Sequence, residues 1–147
     1  MYRFRMFLAV TAGLFGLSGC AFISPDLNVE ALKANAEKQT SFLINLPPDQ
    51  ACAKTARMLM WCAGGPNFHY RCDNAPGGAR SELSGTLEAI YRTEYFMVTE
   101  FAKGPAGTPA GTPAGTMVTV RQRNSILVHD YAPIIEKYFT KPDCQPR

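Results

Sequence analysis

The 147-residue chain has two histidines, one tryptophan and no apolar run long enough to cross a bilayer. A 30 Å hydrocarbon core needs roughly 20 apolar residues in a helix. The stretch 6–17 falls short of that and is a targeting segment, not a membrane span. The nucleophile elbow G-x-S-x-G, the zinc helix H-E-x-x-H and the P-loop are all missing from the sequence. With them go the commonest sequence marks of hydrolase, metalloprotease and nucleotide chemistry. His69 and His129 sit at the edges of expected elements, where surface or hydrogen-bonding roles are the rule, and no catalytic residue is assigned. Net charge is only +3. No basic stripe suits nucleic acid, and no polybasic cluster suits anionic lipid. Cys62, His69 and Cys72 lack the C-x2-C spacing of zinc ribbons, so neither a metal nor another cofactor is expected.

What the chain does have begins at its N-terminus. Arg3 and Arg5 precede the apolar stretch, and Leu17-Ser18-Gly19-Cys20 closes it. A basic start, an apolar middle and a small-residue exit make up a secretory signal over 1–19. The closing tetrapeptide resembles the lipobox of bacterial lipoproteins. The resemblance implies that the Cys20 sulfur receives a diacylglycerol, that the chain is cut before Cys20, and that the new amine is acylated. Several acyl chains hold a protein on a bilayer without any transmembrane helix. Within that family an aspartate after the cysteine favours retention at the inner membrane. Ala21 and Phe22 stand here instead, which implies the outer membrane and its periplasmic face.

Beyond Cys20 the sequence carries Cys52, Cys62, Cys72 and Cys144, an even number in an oxidising compartment. They read as two disulfides with three possible pairings. Residues 20–40 are polar and mixed, which fits a lipid-anchored tether or a loose helix. A single domain is expected over 41–147. Phe42, Ile44 and Leu46 alternate in a short strand ended by Pro47-Pro48, and Asp49 then opens a helix containing Cys52, Thr55, Ala56 and Leu59. Met58, Met60 and Trp61 at its end read as core, and Gly64-Gly65-Pro66 stops it. A short strand near 67–71 leads to a loop around Pro76-Gly77-Gly78. Leu83, Leu87, Ala89 and Tyr91 then share one parity against Glu82, Ser84, Thr86 and Glu88. Tyr95, Met97 and Phe101 continue the alternation against Glu94 and Glu100, giving two strands that meet near Thr93. Glu82, Glu88, Glu94 and Glu100 read as a solvated sheet face rather than a glycosidase carboxylate pair. Residues 105–116 are three identical copies of Pro-Ala-Gly-Thr, expected at an exposed hairpin tip. A β-branched strand follows. Asp130 is placed to cap a last helix whose apolar face is Tyr131, Ile134, Ile135, Tyr138 and Phe139.

This order, β-α-β-β-β-α, makes an α+β two-layer sandwich, with an antiparallel sheet of three to five strands and two helices on one face. It resembles the helix-grip, or TBP-like, domains of envelope lipoproteins such as BamC. The resemblance lies in element order and the strand-Pro-helix opening and assigns no functional residue. If the two helices lie antiparallel, the start of the first meets the end of the second, which favours Cys52 with Cys144 and Cys62 with Cys72. Phe96 and Val98 take the parity opposite to the core, so they are expected as an exposed apolar contact patch on the outer sheet face. The sequence therefore points to a non-catalytic outer-membrane lipoprotein that binds or scaffolds another envelope protein. A small-ligand binder with its pocket between sheet and helices is the alternative.

Overall fold

A computed structural model of the chain describes residues 26–104, 115–123 and 129–144. Helix α1 (Val29–Asn35) is followed by strand β1 (Lys38–Ile44) and helix α2 (Pro48–Cys62). Strands β2 (Phe68–Asn74), β3 (Arg80–Ala89), β4 (Arg92–Lys103) and β5 (Thr116–Gln122) come next, and helix α3 (Tyr131–Thr140) last. The fold is α+β. Its five strands form one open sheet in the order β1-β5-β4-β3-β2, with every neighbouring pair antiparallel. Five strands fall within the three to five expected, although the expected order β-α-β-β-β-α counts only four, and it does not include α1.

Within the stretch expected as a tether or a loose helix, residues 29–35 are helical and packed. Asn28 accepts the Ala31 N–H at 2.8 Å and caps α1, and Leu32 is fully buried. Lys33 of α1 reaches Glu82 and Glu100, which alternate along their strands with the core residues Leu83 and Phe101. Thus α1 covers the sheet face opposite to the core, the face expected to be bare. Asp26, the first described residue, accepts the Tyr95 N–H at its carbonyl at 2.8 Å and the Asn35 side chain at its carboxylate at 2.8 Å. Val98 shares the Glu100 parity and is fully buried on that face.

Phe96 is buried for a different reason. Gly85 pairs with Met97, but Thr86 pairs with Tyr95, so Phe96 has no opposite residue and the register shifts there. An extra residue in one strand reverses which face the following side chains take. Phe96 therefore turns into the core, 5.5 Å from the Phe68 ring, 6.0 Å from Tyr70 and 5.4 Å from Tyr131. A Cβ at Gly85 would stand 2.9 Å from the Phe96 ring, so this close approach needs glycine. Tyr91, expected among the buried parity, instead falls in the turn between β3 and β4.

Thr55 of α2 is buried with its hydroxyl donating to the Ala51 carbonyl, and Met58 and Leu59 lie with it against the sheet. At α3 the expected cap is replaced. Asp130 stands at the N-cap position, but its carboxylate pairs with Lys38. Gln122 of β5 takes over, accepting the Tyr131 N–H at 2.9 Å and donating to the His129 carbonyl at 3.1 Å. Tyr131, at the start of α3, meets Tyr70, which in turn donates to Ala63 at the end of α2. Lys54, midway along α2, lies 5.4 Å from the Tyr138 ring centre in the last turn of α3.

The cysteine pairing differs from the favoured one: Cys52 joins Cys72, and Cys62 joins Cys144, with Cα separations of 5.9 and 6.0 Å. Two reversals of the chain explain it. After the turn at 63–67, β2 retraces α2. Ten helical residues cover about 15 Å, and the four strand steps from Phe68 to Cys72 cover about 13 Å, so Cys72 arrives beside Cys52. The tail after Thr140 also folds back, held by a Lys137–Asp143 pair, and brings Cys144 to the end of α2 rather than its start.

Residues 105–114 of the repeat lie outside the described residues. On either side Lys103 pairs with Thr116, and the Gly104 N–H donates to the Gly115 carbonyl at 2.6 Å, so β4 and β5 are paired right up to it. Thr116 itself is a buried strand residue bonded to the Leu46 carbonyl. The loop ends one residue earlier than the repeat.

Candidate contact surface

With Phe96 7% and Val98 0% exposed, the patch expected from them does not exist. The exposed apolar side chains lie elsewhere. On α2, Ala51, Cys52, Thr55, Met58 and Leu59 face inward, while Met60 and Trp61 are 54% and 59% exposed. Arg57, Met60 and Trp61 stand at i, i+3 and i+4 on the outer side. The signal was present in the sequence, since Trp61 follows Lys54 and Arg57 at helical spacing on the polar side. The chemical type of Met60 and Trp61 suggests core, but their position on the helix leaves them outside it.

The second exposed site is the two-residue tip between β3 and β4, where Ile90 is 90% and Tyr91 96% exposed. Its base is held by the Glu88 N–H donating to the Asn67 carbonyl at 2.8 Å. The flanking polar groups pair locally, His69 with Glu88 at 3.2 Å and Arg92 with Glu94 at 2.8 Å. An open cleft of about 560 Å³ runs under the tip along Asn67, Leu87 and Ala89.

The four glutamates do not form one site. Glu88 and Glu94 stay at the tip, whereas Glu82 and Glu100 face each other across β3 and β4 under α1. Lys33 Nζ bridges them, 2.6 Å from Glu82 and 3.4 Å from Glu100. Arg121 binds the second Glu100 oxygen, and Arg80 stands 3.7 Å from the first. Burial pushes the Glu100 pKa up, but the hydrogen bond and charge of Arg121, with Lys33 added, outweigh it and hold the carboxyl below its ordinary value. A general acid needs the opposite shift. The cluster ties α1 to the sheet.

Cys62 and Cys72 are taken up by separate disulfides, and His69 points to Glu88. Among the described residues no group of three or more His, Cys, Asp or Glu could hold a metal ion. Tyr70 and Tyr131 share a buried hydroxyl contact at 3.4 Å, and burial first of all pushes both phenols up, so they stay protonated. Between sheet and helices, Leu83, Met97, Phe101, Met58 and Tyr131 fill the space where a ligand pocket was the alternative. A cavity of about 260 Å³ lies between α2 and the tail, bounded by Met58, Ile134, Lys137 and the Cys62–Cys144 bridge. Drug-sized ligands usually occupy about 300 Å³ or more.

Among the described residues no helix is long and apolar enough to cross a membrane. In comparisons with known proteins, no family model, no curated protein and no solved structure matches the chain.

Proposed function

We propose that this chain is a non-catalytic lipoprotein of the bacterial outer membrane that faces the periplasm and binds another envelope protein. The observation that carries the binding role is the pair Met60 and Trp61, more than half exposed on the outer side of a helix that a disulfide clamps at each end. Tryptophan and methionine beside an arginine are residue types enriched at protein interfaces. A rigid helix presenting them loses little conformational entropy on docking. The anchor is supported by Leu17-Ser18-Gly19-Cys20 behind the apolar stretch. Two disulfides suit the oxidising periplasm.

Crosslinking in intact envelopes, followed by affinity isolation of the tagged protein, tests the reading. The wild-type chain is expected to retain one or more envelope proteins, and the Met60→Ser/Trp61→Ser chain to lose most of that recovery at an unchanged melting temperature. Equal recovery by both would remove α2 as the docking face. A parallel label with a fatty-acid analogue checks the anchor, because Cys20→Ser is expected to abolish incorporation.

A further inference from the structure

We propose that the β3–β4 tip is a second membrane contact, with Ile90 and Tyr91 entering the headgroup region of the same bilayer that holds the lipidated Cys20. The inference rests on the anchor reading above and adds to it an orientation. The Asp26–Tyr95 hydrogen bond fixes Asp26, the first described residue on the side of Cys20, in the half of β4 nearest the tip. Six residue steps separate Cys20 from Asp26, and they span at most about 20 Å. Along β4, Tyr91 lies about 13 Å from Tyr95 and Lys103 about 26 Å in the other direction, at roughly 3.3 Å per residue. The tip is within the reach of the tether, and the far end of the sheet is beyond it.

The chemistry of the tip fits an interface between water and lipid. Ile90 offers a fully projecting apolar side chain, and Tyr91 an aromatic body with a polar end, the type that gathers at headgroup level. Arg92 follows at once but is already paired with Glu94 at 2.8 Å, so the apolar pair and not a free charge carries the contact. Leu27, 59% exposed, adjoins the tether at the same end. A protein partner could also cover such a tip. The bilayer is favoured because the anchor keeps it permanently within reach, so that even a weak second contact is held closed by its high effective concentration. The contact stands the sheet upright and points its Lys103–Thr116 end away from the membrane.

The test uses the full lipidated chain in vesicles of phosphatidylethanolamine and phosphatidylglycerol, part of whose acyl chains are brominated. Trp61 is the one tryptophan, so a Trp61→Phe background accepts a single reporter. Tyr91→Trp places it at the tip, and Ala79→Trp places it in the turn between β2 and β3 at the other end. Both replace exposed side chains, and melting confirms folding. Because interfacial insertion reaches about 5–10 Å, the tip reporter is expected to be quenched by bromolipid at least about twofold more than the distal one. It should also emit further to the blue. If the protein floats with the vesicles but both reporters are quenched equally and reached equally by aqueous iodide, the tip contact is overturned while the anchor stands, and Ile90 and Tyr91 pass to a protein partner. If the wild-type chain does not float at all, the anchor reading fails and the tip contact falls with it.

Discussion

Glu100 shows how one residue can join two layers of the molecule. It sits on the sheet, yet its carboxylate is held by Arg121 from β5 and Lys33 from α1. Its pKa is lower folded than unfolded, so its contribution to stability is complete above the ordinary glutamate range and is lost as pH falls through the folded value. Lys33 has the opposite sign. Burial pulls its pKa down, but Glu82 and Glu100 outweigh that and raise it, so its contribution is lost as pH rises beyond the ordinary lysine range. Thermal melts of the wild type and Glu100→Gln across the acid range check this. The gap in melting temperature between them is expected to be widest near neutrality and to close as the medium is acidified. A gap that stays constant to low pH would mean that the ionised carboxylate adds nothing at this site. Sequence parity placed Glu82 and Glu100 on the correct face. It could not show that a helix covers that face, because the short α1 declares itself only through Asn28 and one buried leucine.

At the scale of elements, the strands were legible wherever alternation was unbroken, as in Met97 to Phe101 and Val118 to Val120. Legibility ended at the bulge. A parity argument carried through Phe96 assigns it to the wrong face, since the extra residue reverses the count and nothing in the sequence except Gly85 signals it. The turn between β2 and β3 was clearer, because Gly77 and Gly78 adopt φ of 82° and 65°, which other residues rarely tolerate. The repeat tests the connection between β4 and β5. Its ends are joined by the Gly104–Gly115 hydrogen bond and the Lys103–Thr116 pairing, which do not involve 105–114. Deleting 109–112 therefore shortens a loop whose ends are already fixed. By the logarithmic closure rule the change is worth only about half a kcal/mol, in the stabilising direction. Differential scanning calorimetry should show an unchanged or slightly higher melting temperature. A fall of many degrees would mean that the repeat packs on the domain. Extending the deletion to Thr116 is a different experiment, because it removes a buried strand residue and its bond to Leu46.

For the whole molecule, the two disulfides fix the order in which the chain doubles back. Helix propensity and hydrophobic face identified α2 and α3, but pairing depends on where the chain reverses, and the reversal after Thr140 rests on the Lys137–Asp143 pair and the bridge itself. The two links close loops of 20 and 82 residues in sequence separation. In the chain-entropy description the short loop is worth about 3 kcal/mol and the long one about 4 to 5. The short one clamps β2 to the start of α2. The long one ties the C-terminal tail to the end of α2, so cutting it frees α3 to leave the sheet together with Tyr131 and Ile135. Peptide mapping without reduction is expected to yield Cys52 with Cys72 and Cys62 with Cys144. Urea melts should then show the Cys62→Ala/Cys144→Ala chain losing about 1 kcal/mol more than the Cys52→Ala/Cys72→Ala chain, by the same loop-entropy difference. The buried position of Cys52 works against that ranking, because alanine there leaves unfilled space in the core. A reversed order with the mapped pairing intact would show that packing at Cys52, rather than loop length, sets the value of these links. A Cys52–Cys144 peptide would remove the tail reversal altogether.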